Sequence, residues 1–434
     1  METGRENDLS FPLPAPVERV LRRLNQVGHE AFLVGGCVRD RLRGVAPKDY
    51  DITTSAHPEE VHAALAGWRL IDTGIRHGTV TVLLDGMPVE VTTYRLDGAY
   101  ADHRHPAAVR FTASLREDAA RRDFTVNAMA YHPDIGLCDF FGGLSDLRAG
   151  ILRAVGEPER RFTEDALRIL RALRFASVLS FTIEENTAQA ARACAPLLSR
   201  ISAERIHEEM NRLLCGPAAG EVLEKYAPVI GAALPLWWEI VAQEGGRVSR
   251  IARMLPLLPP EPVLRYAAFF WYLADTADAP ARLTAAMNAL RFDRRTRERV
   301  TKLLLHRADP YTGGAPSLRR FLAGLGDADA AALLVLLDAW EKTADSPAAA
   351  RLADIAAVQG ALATMCGEKP CRSLADLAVK GDDLIAAGYA PGRELGGVLR
   401  YLFAAVLDGR AENTREKLLA AALAACPPGK EPPA

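Results

Sequence analysis

The stretch AFLVGGCVRDRLRGVAPKDYDITT, residues 31–54, contains the most informative pattern of this chain. An apolar run ends at a Gly-Gly pair, a short helical segment follows, and DYDITT then alternates like a strand. The first turn of a helix exposes backbone N–H groups, which favour an anion such as phosphate. The pattern predicts a strand–turn–helix–strand unit whose turn either binds phosphate or serves packing alone.

Two aspartates of the second predicted strand, Asp49 and Asp51, flank Tyr50. At the strand period of two, both carboxylates point to one face and Tyr50 to the other. Such a pair can share Mg²⁺, a hard cation that prefers oxygen ligands and bridges to substrate phosphates. Glu90, in PVEVTTY, alternates with two valines and is a third candidate catalytic acid. The alternative for each acid is an ordinary solvent-facing residue.

The segment GTVTVLLDGMPVEVTTYR, residues 78–95, predicts a β-hairpin. Its two alternating runs are joined by Asp85-Gly86, a preferred two-residue turn. Past Phe162 the apolar residues recur at helical spacing as far as about residue 425. The first part of the chain is therefore expected to be α/β, and the remainder helical.

The composition of the 434 residues limits the possible classes of protein. A hydrophobic fraction of 49% and a charged fraction of 25% are typical of globular domains and exclude disorder. The formal net charge of −2 means that a polyanion must be held by a local basic surface. METGRENDLS at the start lacks a secretory apolar core, and no apolar run approaches the ~20 residues of a membrane span. Seven scattered cysteines predict reduced thiols, so we expect a cytoplasmic protein without a membrane partner.

Two arginine-rich segments stand out, EDAARRDFTVNAMAY at 117–131 and RRFTEDALRILRALRFA at 160–176. In the second, Arg168, Arg171 and Arg174 recur every three residues, so they sweep one side of a predicted helix. Taken alone, each segment is also typical of a charged surface helix.

The start of the second segment has the pattern of a helix N-terminus. Thr163 is the expected N-cap, which places Glu164 and Asp165 in the first turn, where they complement the helix dipole. Asp165 and Arg168 are then i,i+3 neighbours on one helix.

Six blocks follow one another between residues 35 and 176: GGCVRD, KDYDI, VEVTTYR, RRDFTVNAMAY, FGGLSDLRAG and RFTEDALRILRALRFA. Together they closely resemble the class II tRNA nucleotidyltransferases, which are the bacterial CCA-adding enzymes, and their sister family, the bacterial poly(A) polymerases. The resemblance is strong over the first half of the chain. The helical second half agrees with the family mainly in its length and general character. It implies an α+β fold, with a polymerase-β-type nucleotidyltransferase head followed by an all-α neck, body and tail.

The resemblance also implies where these parts lie along the chain. The expected divisions are a catalytic head at 1–155, a base-selecting neck at 156–220, a body at 221–315, a tRNA-binding tail at 316–428 and a disordered end at 429–434.

Roles for individual residues follow from the same resemblance. It implies that Asp49 and Asp51 hold Mg²⁺, with Glu90 as a further catalytic acid whose metal ligation stays open. It implies nucleotide contacts for Gly36, Arg39, Arg122, Asp123, Asp165, Arg168, Arg171 and Arg174.

The resemblance implies that Asp165 and Arg168 select the base. Selection by these two residues, without a template strand, makes physical sense. Cytosine and adenine each present an exocyclic amine beside a ring nitrogen acceptor. A carboxylate accepts from the amine while a guanidinium donates to the ring nitrogen. Guanine and uracil place a carbonyl where the amine should be, and a mispaired polar group costs about 1–3 kcal/mol. One pair therefore admits CTP and ATP and rejects the other two nucleotides.

The expected function is template-independent addition of C, C and A to the 3′ end of tRNA, from CTP and ATP, with release of pyrophosphate. RLDGAYADHRHPAAVRF at 95–111 resembles the flexible loop needed for the switch from C to A, which disfavours a CC-only enzyme. The alternative for this stretch is a plain surface connection. In the predicted neck helix, alanine and leucine follow Glu-Asp, which favours the CCA-adding enzymes over the poly(A) polymerases. An A-adding enzyme or a poly(A) polymerase remains an alternative, as does a non-catalytic RNA-binding protein on the same scaffold.

The partners expected from the resemblance are the tRNA 3′ end, CTP and ATP, with no protein partner implied. RFDRRTRERVTKLLLHR at 291–307 is the densest basic stretch of the helical half. It predicts salt-sensitive phosphate contacts with tRNA or, equally, a solvated amphipathic helix.

Overall fold

The computed structural model describes residues 11–97, 109–309, 315–365 and 371–428. The expected disordered end and most of the 95–111 loop lie outside these residues. The chain forms two compact units, Met1–Gln243 and Glu244–Ala434, which are described in turn.

A seven-stranded mixed sheet forms the head of the first unit. Its strands are β1 (Ala31–Val34), β2 (Asp51–Thr54), β3 (Arg69–Gly74), β4 (Thr79–Leu84), β5 (Met87–Thr93), β8 (Ala130–His132) and β9 (Gly136–Cys138). Their order across the sheet is β3-β4-β5-β2-β1-β8-β9. β1 pairs antiparallel with β2 and β8, whereas β2 and β5 run parallel. The parallel pair brings two strands that are distant in sequence side by side.

The head also contains five helices and one small two-stranded sheet, and its last strand pairs with a strand of the segment that follows. The small sheet pairs β6 (Arg95–Asp97) with β7 (Val109–Phe111), and the last strand, β10 (Ile151–Leu152), pairs with β11 (Thr182–Ile183). The helices are α1 (Ala15–Gln26), α2 (Gly36–Leu42), α3 (Pro58–Ala64), α4 (Leu115–Ala120) and α5 (Gly143–Ala149), with 3₁₀ turns at Ile75–His77 and Thr125–Asn127. Helix α1 buries the apolar face formed by Val17, Val20, Leu21 and Leu24.

The predicted hairpin is confirmed, because β4 and β5 pair antiparallel and are joined by the expected turn. Asp85 and Gly86 both have positive φ, 51° and 80°, as a type I′ turn requires. The second predicted strand is shorter than expected. It begins at Asp51, so Asp49 precedes the strand and is exposed. Tyr50, just before the strand, is nevertheless buried, as the alternation of faces predicts. Its carbonyl accepts a hydrogen bond from the Glu90 N–H at 3.3 Å.

Helices alone follow the head within the described part of the first unit, apart from the short strand β11. They are α6 (Pro158–Glu164), α7 (Leu167–Leu179), α8 (Glu185–Ala193), α9 (Ala203–Leu214), α10 (Ala219–Ala233) and α11 (Pro235–Val241), with a 3₁₀ segment at Ala195–Arg200. The predicted change from α/β to α is therefore confirmed. Helix α7 is buried along most of its length and packs against α9.

The expectation of one helix beginning after Thr163 is wrong. Pro158 starts α6 earlier, because proline fits the first turn of a helix, and Thr163 lies inside α6 with its hydroxyl donating to the Glu159 carbonyl at 2.8 Å. The backbone is extended at Asp165, with φ −139° and ψ 103°, and α7 begins only at Leu167. Asp165 therefore lies in a joint between two helices and not in a first turn.

The second unit is helical throughout its described residues. Its helices are α12 (Arg247–Met254), α13 (Pro262–Phe269), α14 (Ala279–Ala289), α15 (Arg294–Leu305), α16 (Ala315–Leu325), α17 (Asp327–Lys342), α18 (Ala349–Met365), α19 (Gly381–Ala386), α20 (Arg393–Leu407) and α21 (Arg415–Ala425). Short 3₁₀ segments occupy Leu255–Leu257, Trp271–Asp275 and Leu374–Asp376. No helix of the described residues combines the length and apolar character needed to cross a membrane.

The basic stretch 291–307 lies mainly on α15, and several of its charges are paired within the second unit. Arg299 lies 2.8 Å from Asp329, and Arg294 lies 2.6 Å from Glu298. Such pairing lowers the charge that this stretch presents to a polyanion, which favours the solvated-helix interpretation for these two side chains.

The close packing of α7 against the start of α10 depends on a residue without a side chain. A Cβ at Gly216 would lie 2.2 Å from the Ser177 Oγ and 2.8 Å from the Ser177 carbonyl carbon. Gly216→Ala is therefore expected to lower the free energy of unfolding by about 1–3 kcal/mol, measured by urea denaturation.

Gly360→Ala is the matched control, since a Cβ in the middle of α18 would meet no described atom within 4 Å. That substitution is expected to raise stability by about 0.5–1 kcal/mol, because alanine loses less backbone entropy than glycine. Equal stability of the Gly216→Ala protein and the parent would contradict the packing described.

Candidate functional site

A cavity of about 650 Å³ in the first unit gathers most of the predicted residues. The turn before α2, the start of β2, the loop after α4 and side chains of α7 and α9 form its walls. Two of the eleven predicted residues, Asp49 and Glu90, are not part of its lining. The other nine line it: Gly36, Arg39, Asp51, Arg122, Asp123, Asp165, Arg168, Arg171 and Arg174.

The acidic edge of the cavity is built by the parallel pairing of β2 and β5. This pairing places Asp51 directly opposite Glu90. Burial and the charge of Glu90 raise the pKa of Asp51 to about 6; Arg122 opposes this shift, and Asp49 adds to it. The neighbouring negative charges are therefore only partly compensated by the protein, which favours a cation at this edge.

These acids suit a divalent metal by their chemistry. Carboxylate oxygens are the ligands that hard cations prefer, and Mg²⁺ is commonly bound by one or two carboxylates together with water and substrate phosphates. No group of three His, Cys, Asp or Glu residues in the described part of the chain is arranged to hold a metal ion. A metal here would accordingly rely on few protein ligands, Asp51 and its neighbour Asp49 among them.

The Gly-Gly turn lies against this acidic edge. Gly35 has φ 74° and precedes the first residue of α2. A Cβ at Gly35 would stand 3.1 Å from the Arg122 Nη1 and 3.9 Å from the Asp51 Oδ2. The backbone conformation thus favours glycine, and a side chain there would also crowd the Arg122 guanidinium.

A second group of hydrogen bonds connects α2, the loop after α4, and α7. Arg39 donates from Nη1 to the Asn127 Oδ1 at 2.7 Å, and Asn127 donates to the Asp123 Oδ1 at 3.1 Å. Arg171 donates to the Asp123 Oδ2 from Nε at 2.9 Å and from Nη2 at 2.5 Å. Burial alone would raise the pKa of Asp123, but Arg171 and Asn127 together lower it to about 2. Asp123 is therefore a buried, fully charged partner of Arg171.

Helix α9 supplies the counter-charge for the rest of the arginine row. The Arg174 Nε lies 2.5 Å from the Glu209 Oε2, and the Arg171 Nη1 lies 3.9 Å from the Glu209 Oε1. The Arg174 side chain is buried and that of Arg171 is 34% exposed, so this carboxylate offsets desolvation mainly for Arg174.

The two predicted base-selecting residues have different partners from those expected. The Arg168 guanidinium donates to the Glu164 Oε2 at 3.0 Å and to the Arg121 carbonyl at 3.1 Å. Asp165 accepts from the Leu167 N–H at 3.0 Å and from the Arg205 Nη2 at 2.8 Å. Both side chains line the cavity, but each is oriented by its own partners.

Sequence reasoning missed several residues of this cavity, among them Asn127, Phe175 and Arg205. Asn127 and Phe175 lie inside the arginine-rich segments, where the polar break in an apolar run and the aromatic after Arg174 are visible signals. Arg205 lies 40 residues beyond Asp165, on α9, and no local pattern points to it.

Comparisons with known proteins agree with this architecture. Residues 31–153 match the family model of the "Poly A polymerase head domain", and residues 180–226 match the "Probable RNA and SrmB- binding site of polymerase A". Residues 343–422 match a model of tRNA nucleotidyltransferase domain 2.

Individual relatives extend the match over nearly the whole chain. The CCA-adding enzyme of Limosilactobacillus fermentum is 35% identical over 415 residues, which are 94% of this chain and 97% of the relative. The CCA-adding enzyme of Geobacillus thermodenitrificans is 50% identical over 204 residues, 47% of this chain and 50% of the relative. The crystal structure of the Bacillus stearothermophilus CCA-adding enzyme in complex with CTP superposes with a TM-score of 0.78 at 31% identity, covering 95% of this chain and 98% of that one.

A mixed-sheet head followed by helices, with an acidic edge and an arginine-lined cavity, defines a nucleotidyltransferase of the polymerase-β type. The relatives narrow this class further. The chain belongs to the family of CCA-adding enzymes, which are tRNA nucleotidyltransferases.

The pair between Arg205 and Asp165 is expected to contribute to stability, because both side chains are less than a quarter exposed. Arg205→Met leaves the Asp165 carboxylate without its charged partner. We expect a loss of about 1–3 kcal/mol in the free energy of unfolding, measured in urea at neutral pH.

Arg212→Met makes the same change on the same helix, where Arg212 pairs with Glu208 and both side chains are mostly exposed. Its expected cost is about 0.5 kcal/mol or less. Equal costs for the two substitutions would show that Arg205 does not hold Asp165.

Proposed function

We propose that this protein adds C, C and A to the 3′ end of tRNA without a template, using CTP and ATP and releasing pyrophosphate. The observation that carries the proposal is the lining of the cavity, in which nine arginines stand beside only three aspartates. Most of these arginines have carboxylate partners, but the lining itself presents more cationic than anionic side chains, which suits the phosphates of a nucleoside triphosphate. The CCA-adding relatives and the CTP-bound structure support the same conclusion.

The arginines of the cavity are proposed to bind the nucleotide. Arg39, Arg122, Arg171 and Arg174 come from three different segments and line one space. Each guanidinium carries five N–H donors, so one carboxylate partner leaves others for phosphate oxygens. Their existing partners fix the side chains before the ligand arrives, which reduces the ordering that binding must impose.

Asp165 and Arg168 are proposed to select the base. Each oxygen of Asp165 accepts one hydrogen bond from the protein and keeps a further lone pair for an exocyclic amine. Glu164 and the Arg121 carbonyl hold the Arg168 guanidinium, which can donate to a ring nitrogen. A carbonyl in place of the amine faces the carboxylate acceptor to acceptor and is rejected.

The acidic edge is proposed to hold Mg²⁺ through Asp49 and Asp51, with Glu90 as an additional catalytic acid. A bound divalent ion of this kind neutralises phosphate oxygens and lowers the pKa of an attacking hydroxyl. The proposed place of reaction is beside Asp51, which lines the cavity next to Gly35 and Arg122. There the terminal hydroxyl of the RNA meets the α-phosphate, and pyrophosphate leaves.

We propose that the domains are a catalytic head at 1–155, a base-selecting neck at 156–220, a body at 221–315 and a tRNA-binding tail at 316–428. A cytoplasmic location is part of the same proposal. Its support is the cysteine pattern, in which the six described cysteines are free.

The direct test incubates the protein and Mg²⁺ with three tRNA transcripts, one lacking CCA, one ending in C and one ending in CC. CTP and ATP are offered separately and together, and products are resolved at single-nucleotide length. We expect the first transcript to grow by three residues only when both nucleotides are present. Extension of the CC-ended transcript alone, by one A, would mean an A-adding enzyme, and long A tails would mean a poly(A) polymerase.

Asp51→Ala is expected to lower the turnover of CCA addition by about 10³-fold or more, because it removes a carboxylate of the proposed metal site that also lines the cavity. tRNA binding, measured by electrophoretic mobility shift, should be largely retained. The matched control is Asp72→Ala, which removes an exposed carboxylate paired with His62. Unchanged turnover after Asp51→Ala would support the non-catalytic RNA-binding alternative.

A further inference from the structure

Three arginines of the cavity surround one aromatic ring, that of Phe175. The guanidinium carbon of Arg174 lies 3.7 Å from the ring centroid, that of Arg39 lies 5.2 Å away and that of Arg171 lies 5.5 Å away. All three distances fall within the ~6 Å range of cation–π attraction. Phe175 is buried and lines the cavity together with these arginines.

An aromatic ring and a carboxylate can bind different surfaces of the same guanidinium. Ion pairs use the N–H groups in the guanidinium plane, as Arg171 does with Asp123 and Arg174 with Glu209. Cation–π attraction uses the flat face, so it removes no in-plane donor. A ring therefore restrains the side chains and leaves the remaining N–H groups for a ligand.

Phe175 also joins two parts of the first unit at this point. Arg39 belongs to α2, whereas Arg171, Arg174 and Phe175 belong to α7. The ring itself is fixed by Phe124, a fully buried residue whose ring packs edge-on at a centroid distance of 5.7 Å. Like charges brought this close repel one another, and the electron-rich ring lowers that cost.

We propose that Phe175 is a positioning residue for the nucleotide, whose ring holds Arg39, Arg171 and Arg174 together so that they can bind the triphosphate. The inference rests on the proposed function, because it assigns these arginines to nucleotide binding. In this role the ring acts through the three cations, whose proposed ligand is the triphosphate and not the base. It should accordingly affect CTP and ATP alike.

The test replaces Phe175 by 4-fluoro-, 3,5-difluoro- and 3,4,5-trifluorophenylalanine through nonsense suppression. Fluorine withdraws electron density from the ring face with little change in shape, so cation–π attraction falls stepwise while packing is preserved. We expect the KM for both CTP and ATP to rise stepwise, by about three- to tenfold at trifluorination, with kcat and the order of C and A addition unchanged. Phe175→Leu, which keeps an apolar side chain without a ring, should raise KM at least as much.

The same fluorinated series at Phe162, a fully buried phenylalanine of α6, is the control for effects on packing. It should leave KM at the parent value. A parent protein that adds CCA together with a flat KM across the Phe175 series would overturn this inference alone. A parent protein that adds no nucleotide to any of the three transcripts would overturn the proposed function, and this inference with it.

Discussion

The buried carboxylate of Asp123 accepts hydrogen bonds from the backbone N–H of Phe124, the side chain of Asn127 and the guanidinium of Arg171. These contacts connect the loop beside the sheet to helix α7, and Asn127 passes the connection on to Arg39. A charge so deeply buried is tolerated only because its partners compensate the lost hydration. Arg39 and Arg171, which line the cavity from two different helices, are both connected to this one carboxylate.

Local patterns in the sequence predict the elements that carry the acids, because alternation and turn chemistry act over a few residues. The hairpin with Asp85-Gly86 and the strand that begins at Asp51 follow from such patterns. The start of the neck helix cannot be predicted in this way. Thr163 and Pro158 both suit a helix N-terminus, and only packing decides between them. The residue roles themselves came from resemblance to a family, and they stay predictions.

Contacts between distant segments are the part of the cavity that sequence reasoning could not reach. The i,i+3 rule favours a pair between Asp165 and Arg168. In the structure, however, the Asp165 carboxylate pairs with Arg205, on another helix. The same limit applies to the basic stretch 291–307, where Asp329 pairs with Arg299 from 30 residues away. Counting charges along a segment predicts neither partner, because both depend on which helices become neighbours.

The parallel register of β2 and β5 has a consequence for which changes in length the head can accept. Asp51 lies opposite Glu90, while Ile52, Val89 and Val91 are fully buried in the core. Because successive strand residues alternate between faces, inserting or deleting one residue within either strand would turn a valine or isoleucine toward the cavity and an acid into the core. A change of two residues restores the faces. Within these two strands, therefore, only a change in length by an even number of residues keeps the acids and the apolar residues on their present faces.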